Sequence, residues 1–310
     1  MILNAGNILL IGSILLFVSI VVGKAGFRFG VPALLLFLGV GMLFGTDGLG
    51  IEFNNPQTAQ FIGVIALSII LFSGGMDTSA AEIKPVLGQG IVLATVGVML
   101  TALLTGYFIY YITNLGNSFI TLNFTESLLL ASVMSSTDSA SVFSILRSKR
   151  QGLKENLRPM LELESGSNDP MAYMLTILLI GIIQSGESSL SNTILQFIMQ
   201  MSIGAVSGYL LGRLAVYCIN KLNINQSLYP VLLLAFVFFI FSFTDLVKGN
   251  GYLAVYLAGL VVGNHKVVHK KSLTTFFDGI TWLFQIVMFL TLGLLVNPAE
   301  LLPVAVLSIL

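Results

Sequence analysis

The sequence predicts an all-α protein that crosses a lipid bilayer many times. Only 9% of its 310 residues are charged and 56% are apolar, whereas about a quarter of the residues in a soluble domain are charged. The apolar residues also fall in runs of about 17 to 28 residues, and helices of this length cross a hydrocarbon core of about 30 Å. We therefore interpret the runs as membrane spans.

Clusters of Gly, Pro, Asn and charged residues separate these spans. They place ten spans near residues 8–24, 31–46, 58–75, 86–113, 123–146, 156–185, 193–219, 228–247, 250–264 and 274–297. An eleventh span begins near Leu302, and the nine residues from there to Leu310 are too few to cross a bilayer. Residues 1–310 are thus expected to form one transmembrane domain that is truncated in about the eleventh span and incomplete at its C-terminus.

The loops predict the orientation, because Lys and Arg accumulate on the cytoplasmic side of a membrane. With the N-terminus outside, all but one of the basic residues fall inside: Lys24, Arg28, Lys84, Arg147, Lys149, Arg150, Lys154, Arg158, Arg213, Lys221, Lys266, Lys270 and Lys271. Only Lys248 falls outside. The alternation supports the number of spans, and it predicts a multi-pass protein of the bacterial inner membrane with a periplasmic N-terminus.

Small residues recur at a spacing of four in the second, seventh and ninth spans, which lets helices approach closely. They are Gly41 and Gly45; Gly204, Gly208 and Gly212; and Gly259 and Gly263. We expect these residues to pack within the chain. Homodimerisation through the seventh-span glycines is the alternative, because spacing does not identify the partner helix.

Acidic and hydroxyl residues are concentrated in two consecutive spans. The fifth contains Ser135-Ser136-Thr137-Asp138-Ser139, and the sixth contains Glu162-Leu163-Glu164-Ser165-Gly166-Ser167-Asn168-Asp169-Pro170. Ionisable side chains at membrane depth cost several kcal/mol, so such acids indicate a functional site. Most of the other spans have none.

Both motifs have local structural consequences. Ser, Thr and Asp side chains can bond the nearby backbone, so their run in the fifth span predicts a local unwinding of the helix. In the sixth span, the helical period places Glu162, Ser165 and Asp169 on one stripe. Pro170 removes a backbone donor beside Asp169. Broken helices leave free carbonyls near the bilayer midplane, where secondary transporters bind ions.

A carboxylate in this setting supports a simple exchange chemistry. Loss of hydration favours its protonated form, while neighbouring oxygens can replace the water around a cation. One site can then hold either a proton or a cation. Both loaded forms can cross, but a bare carboxylate in a dry environment cannot. These properties are the minimum that a cation/proton exchanger needs.

The two motifs together resemble those of a known family. The signature of NhaP-type cation/proton antiporters is similar to two motifs here, Thr137-Asp138 in one span and Glu164-Ser165-Gly166-Ser167-Asn168-Asp169-Pro170 in the next. Within that family, the sequence of residues 161–171 most resembles the CvrA-like potassium/proton antiporters. The resemblance covers the whole chain as an N-terminal portion. It implies the NhaA-like inverted-repeat fold with discontinuous helices, a homodimer, and an electroneutral exchange of one K⁺ or Na⁺ for one H⁺.

The resemblance also implies roles for individual residues. Asp169 is the carrier of the ion and the proton, Thr137, Asp138 and Ser165 help to form the cation site, and Asn168 takes the place that an acid has in electrogenic relatives. No cofactor is implied, and no metal other than the transported cation.

Three further features concern how far the resemblance extends. Glu164 is expected to support the site by pairing with an arginine from a late span that this chain does not reach. The second unwound helix, which crosses the first, likewise lies beyond Leu310, so the chain alone is not expected to transport. Ser73 stands where relatives often have an acid.

Two other functions are weighed against antiport. A sodium-coupled solute symporter also uses broken helices, but it needs a roomy polar pocket, and no Arg or aromatic cluster at span depth lines one. An intramembrane aspartyl protease sets two acids on adjacent helices, as Asp138 and Asp169 would be, but its usual Tyr-Asp and Gly-x-Gly-Asp contexts are absent. We expect a secondary transporter rather than an enzyme. The near-zero net charge gives no sign of a nucleic-acid partner.

Some polar residues have simpler explanations that stay open. Asp138 is the less certain of the two acids, because a capping role at a helix break needs the same residue. Glu162 lies close to the basic cytoplasmic loop, where a salt bridge is as reasonable as a place in the ion pathway. His265 and His269 are four apart, and a helix would bring them together as metal ligands, but with no third ligand nearby a solvated loop is favoured.

Overall fold

The computed structural model describes residues 5–29, 31–115, 120–138, 142, 153–185 and 190–301. These residues are mostly helical, and no strand occurs among them. The all-α prediction is therefore confirmed. In this part of the chain, six helical segments are long and apolar enough to cross a membrane, namely Pro56–Asp77, Ala80–Thr113, Leu157–Gln184, Leu195–Lys221, Leu228–Leu246 and Lys270–Leu295.

Each of the ten expected spans contains helix among the described residues, although the fifth is interrupted after Met134. The helices are α1 (Ala5–Phe29), α2 (Ala33–Phe44), α3 (Pro56–Asp77), α4 (Ala80–Ile83), α5 (Leu87–Val92), α6 (Val98–Thr113), α7 (Phe124–Met134), α8 (Leu157–Ser185), α9 (Leu190–Lys221), α10 (Leu228–Leu246), α11 (Gly251–Asn264), α12 (Lys270–Leu295) and α13 (Pro298–Leu301). Most of the second half of the fifth span, and the eleventh span from residue 302, lie outside the described residues.

The fourth span is less regular than its apolar sequence predicts. A 3₁₀ turn at Lys84–Val86 joins α4 to α5, and a π-helical turn at Leu93–Gly97 joins α5 to α6. Pro85 accounts for the first irregularity, because it lacks the backbone donor that an α-helix uses. Single π turns inside α-helices are frequent at functional sites.

The chain divides into two compact units. One comprises Met1–Ile70 and Asp278–Leu310, and the other comprises Leu71–Phe277. In the first unit, α2 and α12 touch through glycine: a Cβ atom added at Gly41 would lie 2.5 Å from the backbone oxygen of Leu290. Both polar motifs lie in the second unit.

Within the second unit, α11 is buried along most of its length, at 10 of its 14 residues. Glycines let neighbouring backbones reach it. The α9 stripe packs against it, because Cβ atoms added at Gly204, Gly208 and Gly212 would lie 2.5–2.9 Å from atoms of Asn250, Ala254 and Ala258. The predicted packing of this stripe within the chain is thus confirmed.

On another side of α11, the end of α3 makes the same kind of contact. Gly259 and Gly263 lie directly against the backbone oxygens of Phe72 and Met76, and Gly75 lies against that of Tyr256. Small residues at helix interfaces allow this close approach in membranes, where van der Waals packing replaces the hydrophobic effect. The helix α11 is therefore held between α3 and α9.

Replacing Gly208 with Ala should destabilise the protein. The new Cβ would lie 2.5 Å from the backbone oxygen of Ala254, so α9 and α11 must separate, and overpacking of this kind costs about 1–3 kcal/mol. The measurement is thermal unfolding of the purified protein in detergent.

Gly63→Ala is the matched control, because nothing lies within 4 Å of a Cβ added at that α3 position. There the better helix propensity of Ala should leave stability unchanged or raise it by up to about 1 kcal/mol. Equal melting temperatures for the two variants would contradict the glycine contact.

Candidate functional site

The break that the sequence predicts in the fifth span is present. Helix α7 ends at Met134, and Ser135–Asp138 are not helical. At the end of the helix the hydroxyl of Ser135 donates to the carbonyl of Ser132, at 2.7 Å. Helical structure resumes by residue 142, where the Val142 N–H donates to the Asp138 carbonyl at 3.1 Å. Local side-chain bonds thus replace part of the helix ladder, as expected for this composition.

The sixth span, in contrast, is a continuous helix. Helix α8 runs from Leu157 to Ser185 through Pro170. Because Pro170 has no N–H, the ladder loses the bond that would end on the carbonyl of Gly166. Four of the candidate residues lie within the six positions before this proline, namely Glu164, Ser165, Asn168 and Asp169.

The break and the helix are joined by a hydrogen-bond network centred on Thr137. The amide nitrogen Nδ2 of Asn168 donates to Oγ1 of Thr137 at 2.6 Å and to Oε1 of Glu164 at 2.9 Å. The Thr137 hydroxyl donates to Oγ of Ser165 at 3.2 Å. Asn168 and Ser165 are both 0% exposed. The structure thus brings four of the predicted residues together in one place.

A second bond ties the carboxylate of Asp169 to the break. The hydroxyl of Ser136 donates to Oδ1 of Asp169, and the same hydroxyl oxygen lies 3.1 Å from Oδ1 of Asn168. The candidate set derived from the sequence does not include Ser136, although it lies in the run of residues 135–139. The motif marked the region, but not which hydroxyl would face the acid.

Asp138 occupies a different position from the other candidates. Like Thr137 it is exposed, but its backbone carbonyl accepts from the Val142 N–H, at 3.1 Å. This is the position of an N-terminal cap, so the capping interpretation stays open beside an ion-binding one.

A cavity of about 470 Å³ opens beside the network. Its polar lining comprises Thr101, Ser135, Ser136, Thr137 and Glu164. The remaining lining residues are Leu93, Gly97, Val98, Met134, Met160 and Leu161. The irregular π turn of the fourth span therefore forms part of the cavity wall. A space with a few convergent polar groups on an apolar wall is typical of a binding site.

Outside the network, Glu162 forms an ion pair with Arg158 of the same helix, with Nε and Oε1 2.9 Å apart. The side chain of Glu162 is 11% exposed. This contact is the salt bridge that the sequence offered as one of two explanations. It lies one turn before Ser165, at the end of α8 that is predicted to be cytoplasmic.

The two histidines are not brought together by one helix. His265 follows the end of α11, where its Nδ1 lies 2.6 Å from the Val261 oxygen and its Nε2 lies 2.7 Å from Nη1 of Arg213. The ring of His269 packs against Tyr229, with 4.9 Å between ring centres. Among the residues that the structure describes, no group of three or more His, Cys, Asp or Glu side chains could hold a metal ion.

Comparison with known proteins gives consistent matches. A family model described as "Sodium/hydrogen exchanger, transmembrane" matches residues 12–310. The chain is 43% identical over 297 residues to the K⁺/H⁺ antiporter NhaP of Alkalimonas amylolytica, a match that covers 96% of this chain and 50% of that protein. It is 38% identical over 304 residues to the K⁺/H⁺ antiporter NhaP2 of Shewanella sp. (strain ANA-3), with coverage of 97% and 51%. The chain thus spans about half the length of the curated relatives it matches.

A solved structure shares the fold. The sodium proton antiporter MjNhaP1 from Methanocaldococcus jannaschii at pH 8 aligns with a TM-score of 0.77 and 21% sequence identity, covering 93% of this chain and 70% of that one. The agreement confirms the predicted antiporter-type fold.

Replacing Thr137 with Val should destabilise the junction between the break and α8. Valine has nearly the shape of threonine, but it can neither accept from Asn168 nor donate to Ser165. A buried polar group that loses its partner costs about 1–3 kcal/mol. Thermal unfolding of the purified protein should show a lower melting temperature, and Thr137→Ser should restore most of it.

Thr95→Val is the control for this substitution. The Thr95 hydroxyl donates to the Ile91 carbonyl one turn before it, at 2.7 Å, so its loss should have little effect. If Thr95→Val and Thr137→Val melt at the same temperature, the network does not stabilise the junction.

Proposed function

The chain belongs to the sodium/hydrogen exchanger family, and we propose on that premise that the protein exchanges K⁺ or Na⁺ for H⁺ across the bacterial inner membrane. One observation supports this proposal most directly. A partly buried carboxylate, Asp169, lies against a broken span whose hydroxyl groups are already aimed at it and at its neighbours.

In the proposed mechanism, Asp169 binds a proton and a cation in turn. Thr137, Asp138 and Ser165 supply further oxygens to the cation, since alkali cations are held by oxygen ligands that replace their water. Ser136 suits both states, because a hydroxyl can donate to the bare carboxylate or turn its oxygen towards a cation. The cavity beside Thr137 and Glu164 offers the cation room to approach.

Asn168 accounts for the proposed electroneutral stoichiometry. It is a neutral amide that donates to Thr137 and to Glu164, so it holds the hydroxyl of the site in place without adding a charge that must titrate. With Asp169 as the one exchanging acid, either a proton or a monovalent cation neutralises it. The bare carboxylate is costly in a dry environment, so only the loaded forms cross.

The proposal includes the location and the orientation of the protein. It lies in the inner membrane with its N-terminus in the periplasm and its basic loops in the cytoplasm. Contacts in the second unit are consistent with this orientation. The side chain of Asn220, at the end of α9, donates to the Lys266 carbonyl at 2.8 Å. Lys221 at the end of α9 and Lys266 after α11 therefore lie at the same end of these two helices. The protein is embedded in the lipid bilayer in this proposal, and it assembles as a homodimer.

We also propose that residues 1–310 form a single exchanger-type domain that further residues complete. Glu164 supports the site in this proposal. It accepts from Asn168 and lines the cavity, where an arginine from a later span would reach its carboxylate.

The test is a transport assay of the full-length protein in everted membrane vesicles whose interior is acidic. K⁺ or Na⁺ is added, and a pH-sensitive dye follows the gradient for wild type, Asp169→Asn and Asp47→Asn. We expect cation addition to dissipate the gradient in wild type and not in Asp169→Asn, since an amide cannot exchange a proton for a cation. The cation that acts at the lower concentration identifies the substrate.

Asp47→Asn is the matched control for the loss of a carboxylate. Oδ2 of Asp47 accepts from the Ala299 N–H at 2.9 Å, and the Asn amide oxygen can keep that bond, so activity should be retained. A wild type that is inert with every monovalent cation at acidic, neutral and alkaline pH would contradict antiport. Sodium-driven uptake of an organic solute would then favour the symporter, and peptide cleavage that Asp169→Asn abolishes would favour the protease.

A further inference from the structure

We propose that Asn250 is a positioning residue for Asp169, which it holds in place by a hydrogen bond to the next residue of α8. Nδ2 of Asn250 donates to the Pro170 carbonyl at 3.2 Å. This inference rests on the proposed function, because it assigns Asn250 a part in the exchange at Asp169. The two residues come from spans that are distant in the sequence.

Asn250 is a buried junction of three helices. It is 4% exposed, and its Oδ1 accepts from the Leu253 N–H at 3.0 Å, which caps the N-terminus of α11. Its own backbone N–H donates to the Gln200 carbonyl of α9 at 2.9 Å. With the bond to Pro170, this one residue connects α8, α9 and α11. Its carbonyl accepts from the Ala254 N–H, so every one of its polar groups has a partner.

The position of the bond on α8 is the important point. Pro170 cannot donate to the carbonyl of Gly166, so the ladder of α8 is weakest beside Asp169. A carbonyl oxygen has two lone pairs, so that of Pro170 can accept from Asn250 and still serve its own helix. Asn250 thus supplies a constraint from outside at the point where the helix lacks one of its own.

Other residues of α11 follow α8 along the same face. The rings of Tyr252 and Tyr173 meet edge to face with their centres 5.1 Å apart. The ring of Tyr256 fills the space beside Gly166, where an added Cβ would lie 2.5 Å from it. These contacts lie above and below Asp169, so α11 supports α8 on both sides of the acid.

The aromatic contacts and the hydrogen bond constrain α8 differently. Ring packing is tolerant of small sliding, whereas a hydrogen bond to one carbonyl fixes the register, because a shift of one residue moves the acceptor by about 1.5 Å. Ion ligands must be held to within about 0.5 Å of their working geometry. The bond from Asn250 is therefore the contact of α11 that sets the height of Asp169 against Thr137 and Ser136.

The substitution Asn250→Ser separates the two roles of this side chain. The Ser hydroxyl can still cap α11, since Ser and Asn are comparable caps, but it cannot reach the Pro170 carbonyl as the amide does. We expect the cation concentration for half-maximal exchange to rise about tenfold, as for a displaced ligand, together with a lower melting temperature, because a buried hydrogen bond is lost.

The control is Asn123→Ser, the same change at the cap of α7. Oδ1 of Asn123 accepts from the Glu126 N–H at 2.9 Å, as Oδ1 of Asn250 does from Leu253, so the loss of an Asn cap is matched at an exposed position. This variant should keep the wild-type half-maximal concentration. Asn250→Thr is a second cap-retaining variant, and it should show the same rise as Asn250→Ser.

The outcomes distinguish this inference from the proposed function. If wild type exchanges no cation, the proposed function fails, and the positioning role fails with it. If wild type exchanges cations and Asn250→Ser lowers only the melting temperature or the yield, Asn250 is a cap and the positioning role alone is overturned. Failure of both Asn250 variants to accumulate, with Asn123→Ser normal, would likewise assign Asn250 to folding.

Discussion

The hydrogen bond between Asn168 and Thr137 is the contact on which the polar centre depends. It joins a continuous helix to a broken one, and at 2.6 Å it is shorter than the 3.2 Å bond from Thr137 to Ser165. Water is scarce at membrane depth, so a backbone that leaves its helix must find partners within the protein. The Ser135 hydroxyl meets part of that need by donating to the Ser132 carbonyl, and the amide of Asn168 holds the Thr137 side chain. Once they are paired, Ser136 is held beside Asp169.

A second constraint is the close approach of backbones around α11. Glycines on α9 and at the end of α3 leave no room for side chains, so α11 lies almost against both helices. Gly204 of α9 lies directly against Asn250, and Gly166 of α8 leaves room for the ring of Tyr256 on α11. Small residues therefore surround the position from which Asn250 donates to the Pro170 carbonyl.

The site combines rigid and irregular elements in a way that suits exchange. Helix α8 presents its acids on a regular scaffold, whereas the fifth span is unwound where it meets them and the fourth span contains a π turn at the wall of the cavity. Irregular backbone at membrane depth is tolerated where protein or a cavity surrounds it. Membership of the exchanger family and the shared fold agree with this arrangement. Ser73 is buried in α3.

The sequence by itself determined the apolar helices, the break and the region of the candidate site. Long apolar runs can only be helices in a bilayer, and the hydroxyl run of the fifth span opposes the helix ladder locally, so both features follow from nearby residues. It did not identify Ser136 or Asn250, and it left the partner of the α9 glycines open. Those features depend on contacts between distant parts of the chain. Ser136 and Asp169 are 33 positions apart, and Asn250 and Pro170 are 80 positions apart. Periodicity assigns a residue to a face of its own helix, but only the packing of distant backbones decides which groups meet there.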